Sequence, residues 1–185
     1  MQKLYLWFII FLFIACMTNL LSSAKACLSI TDDYNFPNPT LNANFSILPD
    51  VSPFTDCWSG AFRIRGSQTG WRLIANRQGP DPISVMGDTN DNVKASDVSL
   101  EFTVKSFGNA PPGGAILVSP FTSKTDLSSI QSGTFILTGI KKSSNSCSPN
   151  NPNFYKLNKT LCLFHDFVFN PGEYNAQVSY LLVSP

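Results

Sequence analysis

The sequence predicts an all-β protein that forms a single immunoglobulin-like antiparallel β-sandwich. Several short segments alternate apolar and polar residues with a period of two, and clusters of Gly, Pro, Asn, Asp and Ser separate them. No segment after residue 26 repeats its apolar residues with the helical period of 3.6. Only 14% of the residues are charged and 12% are aromatic, which is typical of an exported β-protein with an aromatic core.

The first 26 residues predict a secretory signal peptide. An early positive charge precedes a long apolar run, and small residues lead up to Ala26. The run breaks at Thr18, short of the roughly 20 apolar residues that a transmembrane helix needs. We therefore expect a signal peptide over 1–26, one sandwich domain over 27–185, and no transmembrane segment once the signal is removed.

The first half of the domain predicts three short strands, near 43–48, within 57–66 and over 70–76. In the second of them Phe62 and Ile64 alternate with two arginines, so the apolar pair is expected to face the core. A cluster of Gly and Ser before Trp71 predicts the turn between the second and third strands. The Pro- and Gly-containing segment after residue 76 is expected to end the third strand.

The second half predicts further strands, and the clearest lies within 95–108. There Val98, Leu100, Phe102 and Val104 alternate with polar residues and are expected to face the core. Shorter or two-faced apolar strands follow at 115–120, 133–142 and 160–169. Those with apolar residues on both faces are expected to lie centrally in their sheets. The intervening segment 119–133 looks irregular, with one helical turn.

The last strand has the most regular alternation. Tyr174, Ala176, Val178, Tyr180 and Leu182 share one face, and mainly polar residues share the other. We expect this strand to lie within the sandwich with its Tyr/Val/Leu face buried.

The domain contains four cysteines: Cys27, Cys57, Cys147 and Cys162. Disulfides are expected in an exported protein, and the interpretation favoured from sequence pairs Cys27 with Cys57 and Cys147 with Cys162, since each pair closes its own loop. The other two pairings stay open, as does a zinc site, although no C-x-x-C pair is present. Cys16 and Cys27 each follow a segment that loosely resembles a bacterial lipoprotein box, so lipidation at either is a further alternative.

Charge and motif content argue against several functions. Lys plus Arg number 13 against 12 Asp plus Glu, without a basic tract, so nucleic acid is not an expected partner. His165 lies in a predicted strand and no G-x-S-x-G occurs, so no catalytic residue is assigned and an enzyme is not expected. Asp88, Asn90 and Asn92 have the spacing of calcium ligands, but Val93 replaces the required Gly. Neither a metal nor a cofactor is predicted.

Two segments together resemble the WxL domain of bacterial surface proteins. Trp71 and Leu73 follow a strand and a Gly-containing turn, as the first motif of that family does. Tyr180 and Leu182 lie in the final strand, with Pro185 after them and Tyr180 at the position of the second Trp. The resemblance implies a secreted β-rich domain held non-covalently at the cell wall. Its implied partner is peptidoglycan, another cell-wall polysaccharide or a surface protein, bound through Trp71, Leu73, Tyr180 and Leu182.

A second resemblance is to exported pilin-type and spore-coat-U-like domains. The matching residues are Cys27, Cys57, Gly172, Tyr174, Val178 and Tyr180. This resemblance implies an immunoglobulin-like sandwich that assembles by strand donation. A secreted carbohydrate-binding module is a third interpretation, because exposed aromatic rings stack on sugars. Whether Trp71 and Tyr180 belong to the core or to a binding surface stays open.

Overall fold

Ten β-strands and two single-turn 3-10 helices make up the described part of the chain. The computed structural model describes residues 26–33, 40–47, 54–84, 93–165 and 171–184. The strands are β1 (Leu28–Asp32), β2 (Thr40–Ile47), β3 (Phe54–Gly66), β4 (Trp71–Ser84), β5 (Val98–Phe107), β6 (Ala115–Leu117), β7 (Thr125–Asp126), β8 (Thr134–Gly139), β9 (Phe154–His165) and β10 (Gly172–Val183). The 3-10 helices span Ala95–Asp97 and Leu127–Ser129, and the second is the helical turn expected in the irregular segment. No helix among these residues is long and apolar enough to cross a membrane.

The strands form two five-stranded sheets, and the observed pairings are antiparallel. Sheet A has the order β1-β3-β9-β5-β7, and sheet B has the order β2-β10-β4-β8-β6. Their inner faces contribute side chains to one hydrophobic core that includes Phe45, Phe62, Trp71, Tyr155 and Tyr174. The predicted all-β sandwich is confirmed.

The alternating segments lie as predicted. In β5, Val98, Leu100 and Phe102 are buried, whereas their neighbours on the other face are exposed or half-buried. In β10 the predicted apolar face is buried from Tyr174 to Tyr180, and the strand lies between β2 and β4. A position inside the sheet explains the regular pattern, because both flanking strands fix the register of β10 and one of its faces covers the core.

Strand β4 is longer than predicted. The Pro- and Gly-containing segment was expected to end it, but it runs from Trp71 to Ser84. Gly79 adopts a positive φ of 80°, and the pairing with β10 shifts register between Asn175 and Gln177. This bulge accommodates the extra residues of β4, so pairing resumes beyond it.

The favoured disulfide pairing is wrong. All four cysteines are bonded, but Cys27 joins Cys147 and Cys57 joins Cys162. Cys57 and Cys162 are register partners on β3 and β9, with their Cα atoms 4.1 Å apart. The pairing follows from strand order, since β3 is adjacent to β9, which lies about one hundred residues further along the chain (sequence separation 105). Two intramolecular disulfides are typical of a protein that folds in an oxidising environment.

Arg65 is buried, although its alternation with Ile64 suggested a solvent-facing side chain. It is 1% exposed, and its guanidinium donates to Thr31 Oγ1 (3.2 Å) and to the carbonyls of Pro149 (2.6 Å) and Asn151 (3.1 Å). The loop before β9 therefore folds over the outer face of sheet A and is tied to β3 by this side chain. The Cys27–Cys147 bond attaches the same loop to the start of β1.

Candidate functional site: the motif strands and their outer groove

The two segments that carry the WxL resemblance are hydrogen-bonded neighbours. β4 pairs with β10 in antiparallel register, which places Leu73 opposite Leu182 and Ala75 opposite Tyr180. The sequence separates these segments by about one hundred residues, and the sheet brings them together. They form one two-stranded unit at the centre of sheet B.

The predicted binding residues face the interior of the sandwich. Trp71 and Leu73 are fully buried, Tyr180 is 8% exposed, and Leu182 is half-buried against the core. The Trp71 indole packs against the ring of Tyr155, with centroids 6.0 Å apart. These side chains are therefore core residues in this structure.

Glycines make room for the Trp71 indole. A Cβ atom at Gly139, on the neighbouring β8, would overlap the ring, and one at Gly66 would lie 3.2 Å from its Nε1. Among the residues that the structure describes, the indole Nε1 has no hydrogen-bond partner, and neither does the buried hydroxyl of Tyr180. Burial raises the pKa of Tyr180 above its ordinary value. Two unpartnered polar atoms in a core each cost stability, so shape rather than hydrogen bonding holds these rings.

Outward-facing residues of β4, β8 and the end of β10 form a groove on sheet B. Arg72 separates Trp71 from Leu73, Leu181 separates Tyr180 from Leu182, and alternation directs both to the outer face. The groove has a volume of about 250 Å³, and its lining consists of Gly70, Arg72, Ile74, Phe135, Val183 and Ser184. We call it the sheet B groove.

The sheet B groove combines apolar surface with one cation. Ile74 lies between Leu181 and Phe135 in register, and the last two are 54% and 42% exposed. The Arg72 guanidinium lies over the Phe135 ring, 5.1 Å from its centroid. Such a surface suits a ligand with an apolar face and an anionic group, because a stacked guanidinium keeps its donors free for a carboxylate.

A lysine that the sequence analysis did not single out lies in the core. Lys159 is 2% exposed and points inward from β9, and its Nζ lies 3.0 Å from the centroid of the Phe62 ring. The rings of Trp58 and Tyr180 are 5.4 Å and 5.2 Å away. Gly60 is the register partner of Lys159 on β3 and leaves room for the lysine side chain, since a Cβ atom at Gly60 would lie 3.2 Å from the Lys159 Cε.

Burial lowers the pKa of Lys159 to about 7, although the carboxylates of Asp32 and Asp33 act in the opposite direction. The sequence pattern does predict the burial of this residue. Lys159 has the same parity as the buried Leu157 and Leu161, so period two places it on the apolar face.

The remaining sequence candidates do not form a site among the described residues. The side chain of His165 and the calcium-like ligands Asp88, Asn90 and Asn92 lie outside the described part of the chain. Asp97 accepts a hydrogen bond from the Lys94 backbone N–H and so serves the 3-10 helix. No cluster of three or more His, Cys, Asp or Glu side chains suited to a metal occurs in the described ranges.

Comparisons with protein-family models, with curated proteins and with solved structures each return no match to this chain.

Proposed function

We propose that the chain is an exported cell-surface domain that binds a cell-wall polymer non-covalently through the sheet B groove. The observation that carries the proposal is the arrangement of the motif strands. Their large residues fill the core, and the intervening Arg72 lines a groove together with the exposed Phe135 of the neighbouring β8. The two disulfides and the predicted signal peptide support export.

Peptidoglycan has the chemistry that this groove suits. Its sugar rings offer apolar C–H faces to the exposed ring of Phe135, and its peptide stems offer carboxylates to the guanidinium of Arg72. Its apolar lining includes the exposed side chain of Phe135, and apolar surface rimmed by polar residues is typical of interaction sites.

A pelleting assay with purified peptidoglycan, stripped of attached anionic polymers, tests the proposal. Phe135→Ala and Arg72→Gln are each expected to weaken binding by about tenfold, as removal of a central aromatic or Arg contact does. Phe164→Ala is the matched control, because this phenylalanine is 56% exposed and lies outside the groove. Thermal unfolding of every variant shows whether the fold is retained.

Three outcomes contradict the proposal. In the first, the wild-type chain does not pellet with peptidoglycan. In the second, Phe135→Ala and Phe164→Ala pellet equally while both stay folded. Loss of binding in both variants would point to general surface hydrophobicity and would also reject the groove.

A further inference from the structure

The outer face of sheet A carries a row of cations beside a stacked pair of rings. Arg63, Lys156 and Lys105 are register partners on β3, β9 and β5, so they cross the sheet in one line. Phe154 and Phe107 are also register partners, two residues before Lys156 on β9 and two residues after Lys105 on β5. Their rings stack with centroids 5.0 Å apart and an interplanar angle of 10°. We call these five residues the sheet A platform.

The sheet A platform keeps a positive surplus. Asp33 accepts from Arg63 Nε (3.3 Å) and from Lys156 Nζ (2.9 Å), so one carboxylate pairs with two of the three cations. Glu101 is exposed on the same face of β5, four residues from Lys105. Burial alone would raise the pKa of Asp33, but hydrogen bonds and charge from Lys156 and Arg63 lower it below its ordinary value. Lys105 is exposed on the far side of the row. Neighbouring strands lie about 4.8 Å apart, which sets the backbone spacing of the three residues, whereas the charged ends of Arg63 and Lys156 converge on Asp33.

The rings and the adjacent polar side chains add apolar surface and hydrogen-bonding groups to the charged row. Phe107 is 40% exposed, and the guanidinium of Arg63 lies 5.2 Å from the centroid of the Phe154 ring. Next to the cation row, Asn158 Nδ2 donates to Thr103 Oγ1 at 3.3 Å, which fixes an amide and a hydroxyl on the same face. The face therefore offers cations, a ring surface and hydrogen-bonding groups together.

We propose that the sheet A platform binds an acidic polysaccharide chain. The row of cations, with Lys105 as its exposed member, complements the repeating anionic groups of such a polymer, and the exposed ring of Phe107 can cover the apolar face of one sugar. A single-stranded nucleic acid is disfavoured, because such chains stack successive bases on several exposed rings, and Phe107 is the one exposed ring of the platform. This inference uses a different face from the sheet B groove and does not depend on it.

Titration of the secreted chain with polygalacturonate, with neutral dextran as the comparison polymer, tests the inference. Binding to polygalacturonate is expected to weaken as salt rises, and dextran is expected not to bind. Lys105→Gln and Phe107→Ala should each weaken binding about threefold to tenfold, and the double variant by more than tenfold. Lys124→Gln and Phe164→Ala, both exposed and outside the platform, are matched controls for charge and ring.

Parallel titrations with a sulfated glycan and with a phosphodiester-linked glycan show whether the platform prefers carboxylate, sulfate or phosphate as the anionic group of the polymer. Tighter binding of any of these than of dextran, lost in the double variant, supports the inference. Equal binding of dextran, unchanged binding by the folded double variant, or tighter binding of single-stranded DNA or anionic vesicles would overturn it. Peptidoglycan binding by the double variant is expected to be unchanged, which separates this inference from the proposed function.

Discussion

Lys159 should make the stability of the protein depend on pH between neutrality and mild alkali. The pKa of Lys159 is lowered by burial from 10.5 to about 7, whereas an unfolded chain retains the ordinary value. Between these two values the unfolded state binds more protons than the folded state, so stability rises with pH in this window. At ~1.4 kcal/mol for each pH unit, the free energy of unfolding is expected to rise by roughly 3 kcal/mol from pH 7 to 9.5. Below pH 7 both states are protonated, and this contribution is constant.

Lys159→Met tests the origin of the effect. Methionine fills similar space without a charge, so the variant should be more stable than the wild type at pH 6 by several kcal/mol, at most about 5. Its stability should also lose the dependence on pH over this window. Urea unfolding at pH 6, 7, 8.5 and 9.5 gives the free energies, and Lys105→Met, at an exposed position, is the control.

Two results would refute this reasoning. One is a wild-type stability that is the same at pH 7 and pH 9.5. The other is a Lys159→Met variant that is less stable than the wild type at every pH. The second result would mean that attraction between the ammonium and its three rings, at about 2 kcal/mol or more for a desolvated contact, outweighs the cost of burial.

Three further predictions concern the core and the covalent framework. Trp71→Ala should lower the free energy of unfolding by about 3–5 kcal/mol, measured by urea unfolding, because it leaves a large cavity; a folded variant of unchanged stability would contradict the core assignment. Gly139→Ala should also destabilise the protein, since its Cβ would overlap the Trp71 indole, and a raised melting temperature would contradict this. Peptide mapping under non-reducing conditions should recover Cys27 linked to Cys147 and Cys57 linked to Cys162, and any other pairing would contradict the strand order.

The elements that could be predicted from sequence are those whose pattern is local. The alternation in β5 and β10 determines which face is buried, and both strands have the predicted orientation. The extent of β4 was underestimated, because a bulge at Gly79 allows pairing to continue past a segment that usually ends a strand. The signal peptide and the absence of enzymatic activity stay predictions.

Features that depend on strand order could not be predicted from the sequence. The partner of Cys57 is determined by the adjacency of β3 and β9, which no local spacing encodes. Arg65 has the parity of a solvent-facing residue, but a loop from before β9 covers it. The sheet B groove and the sheet A platform each draw residues from three strands, so their composition becomes visible only when the register is known.

The motif resemblance and the burial of its residues are compatible once the period of a strand is considered. In a W-x-L or Y-x-L segment the first and third residues share one face, so a strand that covers a core buries both and exposes the middle residue. Here the middle residues are Arg72 and Leu181, on adjacent strands and on one outer surface. The motif residues then determine the position of the strand pair. Under the proposed function, the outward residues beside them determine what the surface binds, so substitution of Arg72 is expected to change binding without disturbing the core, whereas substitution of Trp71 is expected to disturb the fold itself.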